Sequence, residues 1–299
     1  SVNRLTATAR NGFEVLTQGG LETGAKPSPY TVIERSPMYR LRRYFADRAP
    51  APAPGEVPAR MARPLETTSW TTTREVLPVL AASGSSGATS LAVAVASILA
   101  PARVVECWSM SATGLAEAAT AELGSDEHGW SNGTRDQVTL TRATQTITGP
   151  EMVPAPAVVD SPGVDLLDVG WQLERLAAAT GWLTHQVQTA PTIVVAATAS
   201  VPDLRRLENT LAALPPSATT VLAVRSLGAK RLPGHVRAAI GPRTRAHHEH
   251  GTWVDIPHEK DLAERGLSGA PLPRTLLSAA HHISRLTGVG ATTPKGYSS

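Results

Sequence analysis

From residue 75 onward, short, continuously apolar runs alternate with amphipathic stretches of helical period, and few architectures accommodate that alternation. The runs at 76–82, 103–107, 157–160, 192–197, 219–224 and 252–256 read as strands. Helical segments read at 89–99, 112–123, 168–179, 201–214, 234–240 and 272–286. Strands that are apolar on both faces must be covered on both, and strands separated by helices are joined by crossovers. The pattern therefore predicts an α/β domain with a doubly wound, mostly parallel sheet. One stretch interrupts it, where 137–140 and 144–148 read as an inserted hairpin.

Residues 1–73 carry no such period. They contain the run Arg48-Ala49-Pro50-Ala51-Pro52-Ala53-Pro54-Gly55, which favours extended, solvated backbone, so the chain divides into a Pro-rich, basic, largely disordered arm at 1–73 and an α/β domain at 74–299. Charge divides the same way. The arm holds 10 basic and 6 acidic residues and the remainder 18 and 19, so the chain's net +3 is set by the arm. Within it, Ser36 and Pro37 open a short helical segment in which Tyr39, Tyr44 and Phe45 lie among Arg40, Arg42 and Arg43. Such a segment suits a protein partner, with the aromatics as anchors. Nucleic acid is the other partner its charge admits, although four arginines neutralise few phosphates.

The single Cys107 excludes an internal disulfide and a Cys-rich zinc site. No apolar run reaches the roughly 20 residues of a membrane span, and residues 1–20 lack a signal-peptide core, so a cytoplasmic location is expected.

The chemistry concentrates where the first strand ends, at Ala81-Ala82-Ser83-Gly84-Ser85-Ser86-Gly87-Ala88-Thr89-Ser90, which runs directly into an Ala/Val/Leu helix. Strand, Gly-rich loop and helix is the geometry that aims backbone N–H groups at a phosphate. This loop resembles the deviant phosphate loop of the ParA/MinD-like ATPases, Lys-Gly-Gly-x-Gly-Lys-Thr-[Thr/Ser]. On that pattern Gly84 and Gly87 match glycines, Ser85 and Ser86 complete the cradle, Thr89 matches the hydroxyl that ligates magnesium, and Ser90 the last position. Both lysines are missing, since Ser83 and Ala88 stand in their places. A charged donor to a phosphate contributes roughly 1.5 to 3 kcal/mol, so weak or absent hydrolysis follows.

The resemblance extends over residues 75–288. Pro156-Ala157-Val158-Val159-Asp160 resembles the Walker B strand and implies Asp160 as the magnesium-side carboxylate, and the catalytic one if the protein is active. Residues 192–197 and 201–207 resemble the strand and helix that follow. Ile256-Pro257-His258 resembles the family's Ile-Pro-x-Asp segment and implies Pro257 at the nucleotide, and Gly266-Leu267-Ser268 the turn before the closing helix. Two departures concern the chemistry. Glu106 is the only acid on the strand that usually ends in a catalytic-site Asp, and Val224 and Arg225 occupy the place of an adenine-reading Asn.

The resemblance thus implies ATP or ADP with magnesium, held at residues 84–90 and 257 with the metal at Thr89 and Asp160, or no nucleotide at all. It also implies a homodimer, and the bias to Arg over Lys suits a divergent actinobacterial member. Two readings stand: a non-hydrolysing pseudo-ATPase acting as scaffold or regulator in partition, positioning or secretion, and an active ATPase in which an arginine such as Arg205, Arg206 or Arg225, or a residue of a second subunit, substitutes for the lysines. Elsewhere, His247-His248-Glu249-His250 reads as an exposed polar loop, and Ser161 lacks the Gly two residues ahead that a hydrolase elbow requires.

Overall fold

The first strand, β1 (Glu75–Ala81), sends Leu77 and Val79 to one side and Leu80 to the other, all fully buried, so both faces of the sheet need cover. In the computed structural model the described residues are 69–109, 114–226 and 232–290. The reading of residues 1–68 as an arm, with its short helix, lies outside them. The elements continue as α1 (Ala88–Leu99), β2 (Ala102–Glu106), β3 (Ala121–Ser125), β4 (Trp130–Arg135), β5 (Val138–Ala143), β6 (Val164–Asp168), α2 (Leu173–Ala177), α3 (Trp182–Thr189), β7 (Thr192–Thr198), α4 (Val201–Ala213), β8 (Thr219–Arg225), α5 (Gly234–Arg237), α6 (Pro242–Glu249), β9 (Trp253–Ile256), α7 (Lys260–Arg265) and α8 (Arg274–Thr287).

The nine strands form one sheet in the order β3-β4-β5-β2-β6-β1-β7-β8-β9. Every pairing from β5 to β9 is parallel, while β4 runs antiparallel to both its neighbours. After β1 the chain moves to β2 on one side, and after β6 it crosses to β7 on the other. The C-terminal end of β1 is therefore a topological switch point, where α/β sheets open a crevice.

One core layer packs α1 and α8 on the sheet through Leu91, Val93, Val95, Leu276, Ala280 and Ile283. The other packs α2, α3 and α4 through Leu176, Leu183, Val187, Leu204 and Leu207. Trp70, ahead of the boundary expected at residue 74, is buried in this second layer. Its ring meets that of Trp182 edge-on, with centroids 5.2 Å apart.

The expected strands at 76–82, 103–107, 192–197, 219–224 and 252–256 correspond to β1, β2, β7, β8 and β9 within one residue at each end. The strand expected at 157–160 is absent: that stretch is coil with Val158 53% exposed, and the central strand is β6 instead. Asp165 and Asp168 interrupt the apolar run of β6 and hide it from periodicity. The helix expected at 168–179 shrinks to α2, because Asp168 ends a strand and Gly170 turns the chain at φ +67°. The helix expected at 112–123 is a single 3-10 turn, Leu115–Ala118, followed by the exposed edge strand β3, which β4 recruits by pairing. The hairpin is β4–β5 rather than 137–140 with 144–148, closed by Arg135 and Val138 around Asp136 at φ +51°. Gly133 of β4 admits Ala119, whose Cβ would lie 3.0 Å from a Cβ there.

Three buried charges fasten the lower edge of the central strands. Asp165 of β6 receives Nε and Nη2 of Arg103 at 3.1 and 2.7 Å, and Nε of Arg74 lies 2.9 Å away. The arginines also donate to the carbonyls of Ala157, Ser161 and Val164, and so hold the 157–163 coil under the sheet. Removing one member of a buried ion group leaves the others uncompensated, at a cost of about 3 to 5 kcal/mol, whereas replacing the whole group with apolar residues of similar volume is often neutral. Asp165→Ala is therefore expected to lower unfolding free energy by about that amount in urea denaturation. The combination Arg74→Met, Arg103→Met and Asp165→Leu is expected to recover most of it.

Candidate phosphate-binding site

The crevice above β1 is a cavity of about 900 Å³ lined by the loop between β1 and α1, the ends of β6 to β9 and their following turns. The loop owes its shape to two residues of positive φ, Ser85 at +62° and Gly87 at +91°. Gly87 starts α1 without any side-chain cap, so the first N–H groups of the helix meet the cavity with no side chain of the loop on them. The residues singled out in the sequence, Gly84, Ser85, Ser86, Gly87, Ala88, Thr89, Ser90 and Pro257, all line this cavity, as does Ser83.

Asp160 does not. It is exposed in the coil below the sheet; the carboxylates that line the cavity are those of Glu259, after β9, and Asp168, at the C-terminal end of β6 beside β1. Asp168 lies in register with Val79 of β1 and Glu106 of β2, so the only acid of the β2 strand is its lateral neighbour. Burial pushes the Asp168 carboxyl up to about 6, against a hydrogen bond with the Thr89 side chain that lowers it. Asp160, expected to share a magnesium with Thr89, does not reach it; the carboxylate that meets the Thr89 side chain is Asp168. The sequence signal that could have located it is the pattern Val164-Asp165-Leu166-Leu167-Asp168-Val169-Gly170, an apolar strand that ends in an acid and a glycine.

Three buried polar atoms of residues lining this cavity have no hydrogen-bond partner among the described residues: the Ser86 hydroxyl, Oδ2 of Asp168 and Nε of Arg225. Buried polar groups are rarely left unpaired, so a polar ligand group and a cation fit this donor and acceptor set. Thr89, Asp168 and the Ser86 hydroxyl would hold them.

On the β8 side Arg225 crosses the loop and donates Nη2 to the Ser85 carbonyl at 2.8 Å and to Thr198 Oγ1 at 3.5 Å. On the β6 side Trp108 and Trp171 pack with ring centroids 3.9 Å apart, and Trp171 Nε1 donates to the Cys107 carbonyl at 2.6 Å. Gly170 makes room for the pair, since a Cβ there would come within 2.9 Å of that of Trp108. Arg175 of α2, which sequence reasoning missed, also lines the cavity, whereas Arg205 and Arg206 are exposed on α4 outside it. Cys107 is fully buried, and burial together with the Asp168 and Glu106 carboxylates pushes its thiol well up.

The histidine cluster is not a loop. His247 and His248 lie in the last turn of α6, and His247 Nδ1 meets Thr252 Oγ1 at 2.7 Å. Among the described residues no group of three or more His, Cys, Asp or Glu has the geometry to hold a metal.

Fold and crevice together define an α/β protein with a doubly wound, mostly parallel sheet and a strand–loop–helix unit lining a cavity at its switch point. No family model and no curated protein matches the chain. Among solved structures it is similar to a plasmid partition protein of Borrelia burgdorferi B31 bound to AMPPNP, at 11% identity and TM-score 0.45 over 71% of this chain and 98% of that one. It is similar to the septum site-determining protein MinD of Pyrococcus horikoshii complexed with Mg-ADP, at 13% identity and TM-score 0.47 over 73% and 99%. It is also similar to a Cyanothece McdA–ATP complex, at 12% identity and TM-score 0.45 over 73% and 98%. At this identity the likeness is one of chain architecture.

The raised Asp168 carboxyl carries a stability cost of known sign. Well below the unfolded value of 3.8 the group is protonated in both folded and unfolded chains and costs nothing, and above about pH 6 it is ionised in both, so the folded state bears the whole penalty. Asp168→Asn is expected to raise the melting temperature of the metal-free protein at pH 7 to 8, by the equivalent of about 2 to 3 kcal/mol. The gain is expected to shrink as pH falls through about 6 and to vanish in melts recorded near pH 3.

Proposed function

We propose that the chain is a ParA/MinD-like nucleotide-binding protein that holds the phosphates of ATP or ADP on the loop at 82–88 and magnesium between Thr89 and Asp168. On this reading it does not turn the nucleotide over, and it acts as a scaffold or regulator in a partition, positioning or secretion process. The observation that carries the proposal is the meeting of Thr89 and Asp168 in one cavity with the loop and the uncapped start of α1. Nucleotide supplies the phosphates that such a cradle accepts, and bound magnesium neutralises their charge. Ala88 offers no positive charge to a transferring phosphoryl group, and its buried methyl packs under the loop.

A second reading, ATP hydrolysis with a substitute arginine, has one observation behind it: of Arg205, Arg206 and Arg225, it is Arg225 that reaches the loop. In the proposal the arm at 1–73 binds a protein partner and the α/β domain pairs with a second copy. No described helix is long and apolar enough to cross a membrane.

Isothermal titration with ATP tests the proposal. Binding is expected with magnesium and weaker in its absence. Thr89→Val and Asp168→Asn are each expected to remove the magnesium-dependent gain, while Asp160→Ala, altered outside the cavity, leaves affinity unchanged. Phosphate release from pure protein is expected at background. Turnover well above it, lost in Asp168→Asn, would replace the scaffold reading with the ATPase reading.

A further inference from the structure

The charged side chains of this protein are mostly compensated where they are buried. Arg74 and Arg103 pair with Asp165, Arg142 pairs with Glu122, and Arg135 donates to the carbonyls of Ala118, Ser268 and Ala270. Arg225 differs. It is half-buried at the end of β8, and among the described residues no carboxylate lies within ion-pair distance of it. Its Nε is buried without a hydrogen-bond partner, and its Nη2 is spent on a loop carbonyl. Leaving a guanidinium partly desolvated and facing neutral oxygens wastes most of what its charge can stabilise.

Its position says what would compensate it. The side chain lies over the loop: a Cβ built on Gly87 would touch Arg225 Cδ at 3.8 Å and Nε at 3.9 Å. The same loop lacks any cation of its own, with Ser83 and Ala88 at its two ends. Cation and cradle therefore come from segments 140 residues apart and meet only in the folded chain.

We infer that Arg225 is the phosphate-binding cation of this cavity, supplied from β8 in place of a lysine in the loop, and that in the ligand-free protein the Ser85 carbonyl holds it in reserve. Phosphate oxygens arriving on the loop take over the guanidinium from Ser85, a neutral acceptor replaced by charged ones. The planar fork then offers Nε and Nη2 together, a match to two oxygens that a lysine cannot make. The ligand class is a polyphosphate chain with its magnesium. The inference rests on the phosphate-site reading proposed above.

The test uses the full chain and two ligands, magnesium tripolyphosphate and magnesium ATP, titrated calorimetrically. Arg225→Gln keeps a donor for the Ser85 carbonyl and removes the charge, and Arg225→Lys keeps the charge and removes the fork. Wild type is expected to bind both ligands. Arg225→Gln is expected to weaken both by about ten- to a hundredfold, and Arg225→Lys to recover part of the loss. Thermal melts of each variant accompany the titrations, so that a loss of fold is not read as a loss of affinity. If wild type binds and Arg225→Gln, folded, binds equally well, the role assigned to Arg225 is overturned while the phosphate site stands. If wild type binds neither ligand at millimolar concentration, the phosphate site itself falls and the inference with it.

Discussion

The buried group formed by Arg74, Asp165 and Arg103 decides where the functional end of the sheet falls. Asp165 and Arg103 are lateral partners in the β6–β2 ladder, so their ion pair and the strand register are the same fact. Side chains alternate along a strand, and three residues on, about 10 Å up the sheet, Asp168 emerges on the opposite face beneath α1. A slip of one residue would carry Asp165 to the α1 side, away from both arginines, and would turn Asp168 away from Thr89. Apolar packing alone tolerates such slips, because the strand would remain buried on both faces. The ion group penalises the wrong register heavily, and the conformational uniqueness of β6 follows from it.

With the register set, charged groups gather at the upper end of the sheet. Toward β2 and β6 stand two carboxylates, Glu106 and Asp168, walled by Trp108 and Trp171. Toward β8 stands the guanidinium of Arg225. The loop and the start of α1 lie between, with Ser86 buried beneath them. Arg175 of α2 and Glu259 after β9 also line the crevice, so groups of both signs meet around the loop.

How much of this was legible in the sequence depended on how each segment is stabilised. β1, its loop and α1 were legible because their residues answer to local rules: apolar positions on two faces, glycines at a turn, small residues in a helix pressed between sheet and α8. β7, β8 and α4 were legible for the same reason, and α4 even shows its start, with Ser200 accepting from the Asp203 N–H. β6 was not, because half of what holds it is an ion group whose partners lie 62 and 91 residues away in sequence. The coil at 157–160 looked like a strand because Ala157, Val158 and Val159 are apolar, yet the arginines use its carbonyl groups and leave Val158 in solvent. The error over Asp160 follows directly from that exchange. β3 and β4 were obscured differently, since β4 meets its neighbours through Trp130, Gly133 and Arg135, a set without apolar alternation.

The same reasoning explains why the missing lysines looked more decisive in the sequence than they are in the fold. A motif is read along the chain, whereas a charge acts through space. Ala88 lies in the core under the loop, where a methyl group packs against the sheet and completes the apolar layer that supports α1. On the inference above, the charge that the loop itself lacks is supplied by Arg225 at the end of β8, which reaches the Ser85 carbonyl. β8 can bring it there because its parallel register with β7 places Arg225 opposite Thr198, at the level where β7 turns toward α4. From that level the side chain is long enough to reach the carbonyl of Ser85 and too high to enter the apolar layer below. A change of one residue in the β7–β8 register would end this reach. The reach of Arg225 to the loop is therefore a property of the sheet, and no pattern confined to the loop can report it.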